Sequence, residues 1–159
     1  MENIRTWLIG EVKAQKYLID CGYKILSKNC KIGGSEIDIV AILPKNIKIN
    51  ELKSDFKLKR KGGKFSSKAE LKFAKKILKN EIRQVKDEIV FVEVKSRTSK
   101  KFGNPLETID KNKQHNIARG CVAYLKKHKK LDCPARIDVI SVIDDDIEHI
   151  ENAFDIATY

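Results

Sequence analysis

The stretch Val90-Phe91-Val92-Glu93-Val94-Lys95 places an acid and a base two residues apart inside a run that otherwise reads as a buried strand. Side chains at i and i+2 of a strand share one face. Glu93 and Lys95 therefore point one way, and Val90, Val92 and Val94 point the other. Ile89 and Phe91 lead on the Glu93 face, so both faces begin apolar, the pattern of a central strand covered on both sides. A carboxylate and an ammonium are costly there unless they pair or bind a cation. Two readings stand: a structural ion pair, or a metal-binding carboxylate beside a phosphate-facing lysine.

A second strand bears on that choice. Gly33-Gly34 reads as a turn, and Ser35-Glu36-Ile37-Asp38-Ile39-Val40-Ala41 follows as an alternating run. By strict alternation Glu36, Asp38 and Val40 share one face, and Ile37, Ile39 and Ala41 the other. Asp is depleted in strands, so its place among Ile and Val asks for a reason. If this strand pairs with 88–97, Asp38 and Glu93 face one another a few ångströms apart. Facing carboxylates repel and raise each other's pKa unless a cation lies between them. A hard divalent cation with oxygen ligands answers that need. The alternative is an edge strand with its polar face in water.

Two more polar residues sit against apolar helical patterns. Ile4, Trp7, Leu8, Ala14, Gln15 and Leu18 recur at three- and four-residue steps, and Glu11 occupies a core position of that stripe. Gln114 precedes Ile117, Ala118, Cys121, Val122 and Leu125 on a later stripe, as a boundary residue or as part of a site. Four polar residues placed against apolar patterns on four elements suggest one cleft.

The order of these blocks resembles the PD-(D/E)xK nuclease superfamily: Gly10-Glu11, then Gly34-Ser35-Glu36-Ile37-Asp38, then Phe91-Val92-Glu93-Val94-Lys95. More closely, the chain resembles the bacterial UPF0102 (YraN-type) family, which is similar to archaeal Holliday-junction resolvases. Tyr17-Leu18, Gly22-Tyr23, Phe102-Gly103, Pro105, Glu107 and Lys113-Gln114 extend the match. Arg136-Ile137-Asp138-Val139, His149-Ile150 and Asn152-Ala153-Phe154 carry it towards the C-terminus. The resemblance covers about 1–43 and 88–155. It implies a restriction-endonuclease-like α/β fold with a mixed central sheet flanked by helices. It also implies Mg²⁺- or Mn²⁺-dependent cleavage of DNA, of branched, junction or single-stranded form. Asp38 and Glu93 would bind the metal, with Glu11 completing the acidic pocket. Lys95 would orient the attacking hydroxide or stabilise the phosphorus centre, and Gln114 would help place water or phosphate. Glu36 would assist. Asp138 is open between a helper at the cleft and a partner for Arg136 or another basic group. The rival from another class is a nucleic-acid-binding module with a vestigial site.

One segment departs from that family, whose members join the Asp and Glu strands by a short turn. Here residues 44–88 lie between them and carry 15 Lys and Arg against 6 Asp and Glu, a net +9 of the chain's +11. The first half, 44–67, is polar and Lys-rich and reads as a loop or extended excursion. In the second half Leu71, Ala74, Ile77, Leu78, Ile82 and Val85 follow helical spacing, which predicts an amphipathic helix over 66–86 with a basic outer face. Ser66 or Ser67 suits its N-cap, with Glu70 in the first turn. The segment reads as a nucleic-acid-gripping arm. Lys59, Arg60, Lys61 and Lys64 are its contacts, joined by Arg97 from the Glu93 strand. A solvated face and a protein-interaction arm are the alternatives.

Composition sets the outer bounds. A chain of 159 residues, 42% hydrophobic and 35% charged, suits one domain with a sizeable core. A pI near 9.5 favours an anionic partner, and the family resemblance puts DNA ahead of RNA. No apolar run approaches the ~20 residues that span a membrane, and no export signal opens the chain, so the expected compartment is the cytosol with reduced thiols. Cys21, Cys30, Cys121 and Cys133 lack zinc-ribbon spacing, and the three His are scattered. Two-fold junctions would call for a homodimer, for which the sequence offers no interface. The expected elements are helices at about 3–20 and 110–128, and strands at 23–31, around Asp38, around Glu93, at 135–143 and at 147–154. Asp144-Asp145-Asp146 reads as the turn between the last two.

Overall fold

The computed structural model of the protein describes residues 2–63, 65–97 and 109–156, and for 2–6 and 97 the backbone alone. Lys64 and the side chain of Arg97 therefore lie outside the described residues, as do Phe102, Gly103, Pro105 and Glu107.

Among the described residues nine elements follow in chain order: α1 (Glu2–Asp20), β1 (Lys24–Ile32), β2 (Ser35–Leu43), α2 (Lys45–Lys61), α3 (Lys68–Gln84), β3 (Glu88–Arg97), α4 (Lys111–Lys127), β4 (Ala135–Ile143) and β5 (Asp146–Phe154). The five strands form one mixed sheet in the order β1-β2-β3-β4-β5. Among the described strands only the β3–β4 pair is parallel; the other pairs are antiparallel. A parallel pair needs a crossover, and α4 supplies it. The expected α/β architecture is present, with β3 at its centre.

The two faces of β3 divide the core. Ile89 and Phe91 pack with Ile117, Cys121 and Tyr124 of α4, while Val90, Val92 and Val94 pack with Ala14 and Leu18 of α1. Burying such side chains contributes about 1.5–3 kcal/mol each. Burial holds the Cys121 thiol well above its ordinary pKa, as befits a core residue.

Two glycine positions set the registers that matter for function. Gly33 and Gly34 both have positive φ, 60° and 74°, and join Ile32 to Ser35 in a two-residue hairpin turn. That turn fixes where Asp38 falls along β2. On α1, a Cβ built on Gly10 would lie 2.5 Å from Ser96 Cβ, so the missing side chain lets the helix lie against β3 beside Glu11.

The alternation expected in β2 breaks once. Ile37 packs with Val40 on the α4 side, whereas Ile39 and Ala41 pack on the α1 side. The break falls where the β1–β2 ladder skips the Asn29–Asp38 position, and Asn29 has a left-handed φ of 47°. Asp38 thus sits at a local twist rather than in a uniform ladder.

Residues 44–61 are not the loop that their composition predicts. Lys45–Lys61 is helical, with Pro44 at its N-cap. Lys and Leu are good helix formers, and Ile49, Leu52 and Phe56 recur at helical spacing and are half-buried. The second helix falls where it is expected. Ser67 Oγ accepts from Glu70 N at 3.1 Å, and Glu70 accepts from Ser66 N at 2.7 Å, which closes a capping arrangement at its N-terminus. α2 and α3 pack on each other, and neither contains a buried residue.

Candidate active site

The β2–β3 register pairs Ile39 with Val92. One step further sets Asp38 across from Glu93. Both are buried, with 8% and 4% of their surface exposed. Asp38 Oδ2 accepts a hydrogen bond from the amide of Val94 at 2.7 Å, which fixes the carboxylate beside the Glu93-Val94-Lys95 backbone. Burial pushes Asp38 up to about 7, and the charge of Glu93 adds to that shift against the Val94 hydrogen bond.

Glu93 is held by two lysines. Lys95 Nζ donates to Glu93 Oε1 at 2.7 Å, and Lys113 Nζ, from the first turn of α4, donates to the same oxygen. Burial pushes Lys95 below the ordinary lysine range. Burial acts the same way on Lys113, but its hydrogen bond to Glu93 prevails and holds its pKa up. One carboxylate oxygen thus anchors two ammonium groups.

Glu11 lies on the α1 side of this group, 3% exposed. Burial raises its pKa, and the charges of Glu36 and Glu93 act in the same direction. With the Asn29 amide oriented to donate, its nitrogen lies 3.2 Å from both Glu11 oxygens. The strained turn at Asn29 therefore aims an amide at a buried acid. Glu36 is exposed and borders the same cleft, 4.0 Å from Lys31.

The cleft has a volume of about 520 Å³ and opens between the N-terminal parts of α1 and α4. Asp38, Glu93, Lys95 and Lys113 line it, with Trp7, Glu36 and Asn116 at its walls. Among the described residues no group of three or more His, Cys, Asp or Glu converges as a ready metal cage. The oxygen donors at the centre are the facing pair Asp38 and Glu93.

Gln114 and Asp138 sit elsewhere. Gln114 Nε2 donates to the Ile109 carbonyl at 2.9 Å, tying down the entry to α4 instead of lining the cleft. Asp138 lies opposite Val92, on the α1 side of the sheet, with no exposed surface. It accepts from Arg136 Nε at 2.9 Å and from the Asn152 amide at 2.9 Å, and its other oxygen lies 2.9 Å from His149 Nε2. Burial by itself would raise Asp138, but His149, Arg136 and the Asn152 amide hold it below the ordinary carboxylate value. Arg136 also reaches Glu88 at 2.6 Å and Tyr23 Oη at 2.9 Å. Asp138 is thus the partner of Arg136, not a helper at the cleft. A separate cavity of about 500 Å³ borders this network, between α1 and the start of α2.

Sequence reasoning missed Lys113 and Asn29. Lys113 carried a signal: it stands four residues before Ile117 and seven before Gly120, both buried, so it opens the same stripe as Gln114. Asn29 interrupts a strand, and Asn is the residue that most readily takes a left-handed turn; its partner on α1 could not be read from spacing. Lys59, Arg60 and Lys61 form the last turn of α2, exposed and away from the cleft.

No described helix is long and apolar enough to cross a membrane. Sequence comparison matches the chain to the Uncharacterised protein family UPF0102 over residues 10–80 and 69–142. A UPF0102 protein of Trichlorobacter lovleyi is 34% identical over 154 residues, 94% of this chain and 89% of the relative. Another, of Thermodesulfovibrio yellowstonii, is 34% identical over 154 residues, 97% of this chain and 99% of its own. A third, of Geobacter metallireducens, is 34% identical over 152 residues, 93% and 90% of the two chains. Matched by the family over residues 10–80 and 69–142 and aligned with these relatives over nearly its whole length, the chain belongs to the UPF0102 family.

Proposed function

We propose that this protein is a divalent-metal-dependent endonuclease that hydrolyses phosphodiester bonds in DNA, on branched, junction or single-stranded substrates. The observation that carries the reading is the buried carboxylate pair, Asp38 and Glu93, facing each other with Lys95 two residues beyond.

The donor set fits a hard cation. Burial and mutual repulsion make this pair unfavourable when both are ionised, and Asp38 is pushed up to about 7 as a result. Mg²⁺ or Mn²⁺ would remove that repulsion, with Asp38 and Glu93 as ligands and water, a backbone carbonyl and substrate oxygens as the remaining donors. Bound there, such a cation supplies a water of lowered pKa and positive charge at the scissile phosphate. The chain's own residues do the rest. The Val94 amide keeps Asp38 from turning away. Lys95 and Lys113 set a fixed positive charge at the cleft wall, where negative charge grows during phosphoryl transfer. Glu11, with Asn29 behind it, adds negative potential on the opposite side. Glu36 stands at the mouth, able to hold a water. A net charge of +11 gives the protein a long-range attraction for polyanions.

A second reading has one observation in its favour. Lys95 and Lys113 already satisfy Glu93 without a cation, so the site can persist as a self-neutralised cluster in a non-catalytic nucleic-acid-binding protein. Cleavage assays with Mg²⁺ or Mn²⁺ on duplex, single-stranded, flap and four-way-junction DNA separate the two. Metal-dependent cleavage that disappears in both Asp38→Asn and Glu93→Gln, with DNA binding retained, supports the nuclease. Cleavage surviving in both variants sinks the mechanism. Binding without cleavage in the wild type leaves the binding module.

A further inference from the structure

The basic segment sits at the wrong end of the sheet to grip the scissile phosphate. The chain leaves β2 at Leu43 and returns at Glu88, and these two residues are paired. Asp38 and Glu93 lie five residues along the same two strands, about 16 Å away at strand rise. Between Leu43 and Glu88, α2 and α3 pack on each other with no buried residue.

On α3 the charges are sorted. Lys68, Lys72, Lys75, Lys79 and Arg83 follow at steps of four, three, four and four, which places them along one side of the helix. All five are exposed, and none has an ion-pair partner among the described residues. The two acids of the helix, Glu70 and Glu81, fall on another side. Glu70 is held by Ser66 Oγ at 2.6 Å. The stripe runs about 22 Å at helical rise, the axial span of roughly six phosphates of one DNA strand. Leu71, Ala74, Leu78 and Ile82 form the half-buried side. That side is half-buried, and the exposed Phe73 and Ile77 fall beside Glu70 and Glu81 rather than next to the lysines, so α3 does not offer the continuous free apolar face bordered by cations of a helix that lies in a membrane surface. Five unpaired cations in a row complement a polyanion with regular spacing better than an acidic peptide.

We infer that α3 carries a second nucleic-acid-binding surface, separate from the acid cleft, which holds the phosphate backbone of DNA along Lys68, Lys72, Lys75, Lys79 and Arg83. The choice of DNA rests on the nuclease reading; the surface itself does not. The strand ends that carry the segment lie about 16 Å along the sheet from the acid pair, so a substrate engaging both places spans several base pairs. Longer or branched DNA gains a contact that a short piece lacks.

The test is an anisotropy titration of the full chain, without divalent metal, against a labelled duplex of about 40 base pairs across a salt series. Lys72→Ala, Lys75→Ala and Lys79→Ala are combined in one variant. Lys126→Ala, Lys127→Ala and Lys130→Ala, in the last turn of α4 and just past its C-terminus, form a control with the same loss of charge. Circular dichroism verifies that both stay folded. We expect the α3 variant to lose at least tenfold in affinity, with the log–log salt slope shallower by about 0.9 for each phosphate contact removed. The control changes less than twofold. Equal losses in both variants, or none in either, overturn the inference, since net charge would then explain any binding. A wild type that binds phosphatidylserine vesicles but no duplex also overturns it. The readout involves no cleavage, so an inactive protein with this binding pattern refutes the nuclease reading and keeps the second surface.

Discussion

Lys113 donates to the same carboxylate oxygen of Glu93 that Lys95 holds, so an α4 side chain and a β3 side chain compete for one acceptor. Removing Lys113 takes a positive charge away from the acid pair. We expect Lys113→Ala to bind Mn²⁺ about tenfold more tightly, because one fewer cation repels the incoming ion. Cleavage falls by roughly 10²-fold in the same variant. Calorimetric metal titration beside the cleavage assay checks both, and weaker metal binding would count against this arrangement.

Asp38 illustrates a conflict between stability and chemistry. Its carboxylate is buried against Glu93 and accepts a hydrogen bond from the Val94 amide. Asp38→Asn removes the buried charge and keeps the shape. The metal-free variant should melt several degrees above wild type at pH 8, a gain of about 1–3 kcal/mol. Thermal scans in EDTA give the answer, and a variant that melts lower would contradict the burial argument.

Asp138 predicts the opposite sign. Its pKa is held below the ordinary carboxylate value, so its contribution is present above about pH 4 and is lost as pH falls through the lower folded value. Asp138→Asn leaves Arg136 buried with one partner fewer and should cost about 3–5 kcal/mol at pH 7. Urea unfolding at pH 7 and at pH 3 separates the two conditions: the penalty is expected to shrink at the acid value. Mn²⁺ affinity at the cleft should stay as in wild type, since Asp138 points to the other side of the sheet.

Gly10 is where α1 meets β3. A methyl group there would lie 2.5 Å from Ser96 Cβ and 2.7 Å from Ser96 Oγ. Overpacking of that kind costs about 1–3 kcal/mol, more than the helix gains from replacing glycine, which is at most about 1 kcal/mol. Gly10→Ala is therefore expected to destabilise the chain and to displace Glu11. Ser96→Gly in the same chain restores part of the loss; an additive double variant would show that the two residues do not meet.

Much of this arrangement was legible before any coordinates. That Asp38 stands across from Glu93 follows from pairing the two strands, even though the alternation of β2 breaks beside Asp38, and a polar residue inside an apolar run marks itself. Glu11 was legible for the same reason at period 3.6. Lys113 was legible only in part: it opens the α4 stripe, but a lysine in the first turn of a helix also looks like ordinary solvent-facing charge, and the packing of α4 is what brings its Nζ to Glu93. Gln114 marked itself in the same way as Glu11, and its amide donates to the Ile109 carbonyl at the entry to α4. Asp138 stood out as strongly as Asp38, and its pairing with Arg136 follows from period two within β4, but His149 and the Asn152 amide reach it from β5, which no local pattern marks. α2 escaped because its lysines, read as solvated charge, are also good helix formers.

The pairing of Leu43 with Glu88 also has a kinetic side. The central β2–β3 ladder closes a loop of more than forty residues, about 2 kcal/mol more costly in chain entropy than a four-residue turn. A helical pair that forms early from local contacts would draw the two strand ends together and shorten that search. A chain in which a tight turn replaces residues 44–87 should refold faster than wild type in stopped-flow experiments. The basic hairpin would then be a tax on folding speed, kept for something other than holding the sheet together.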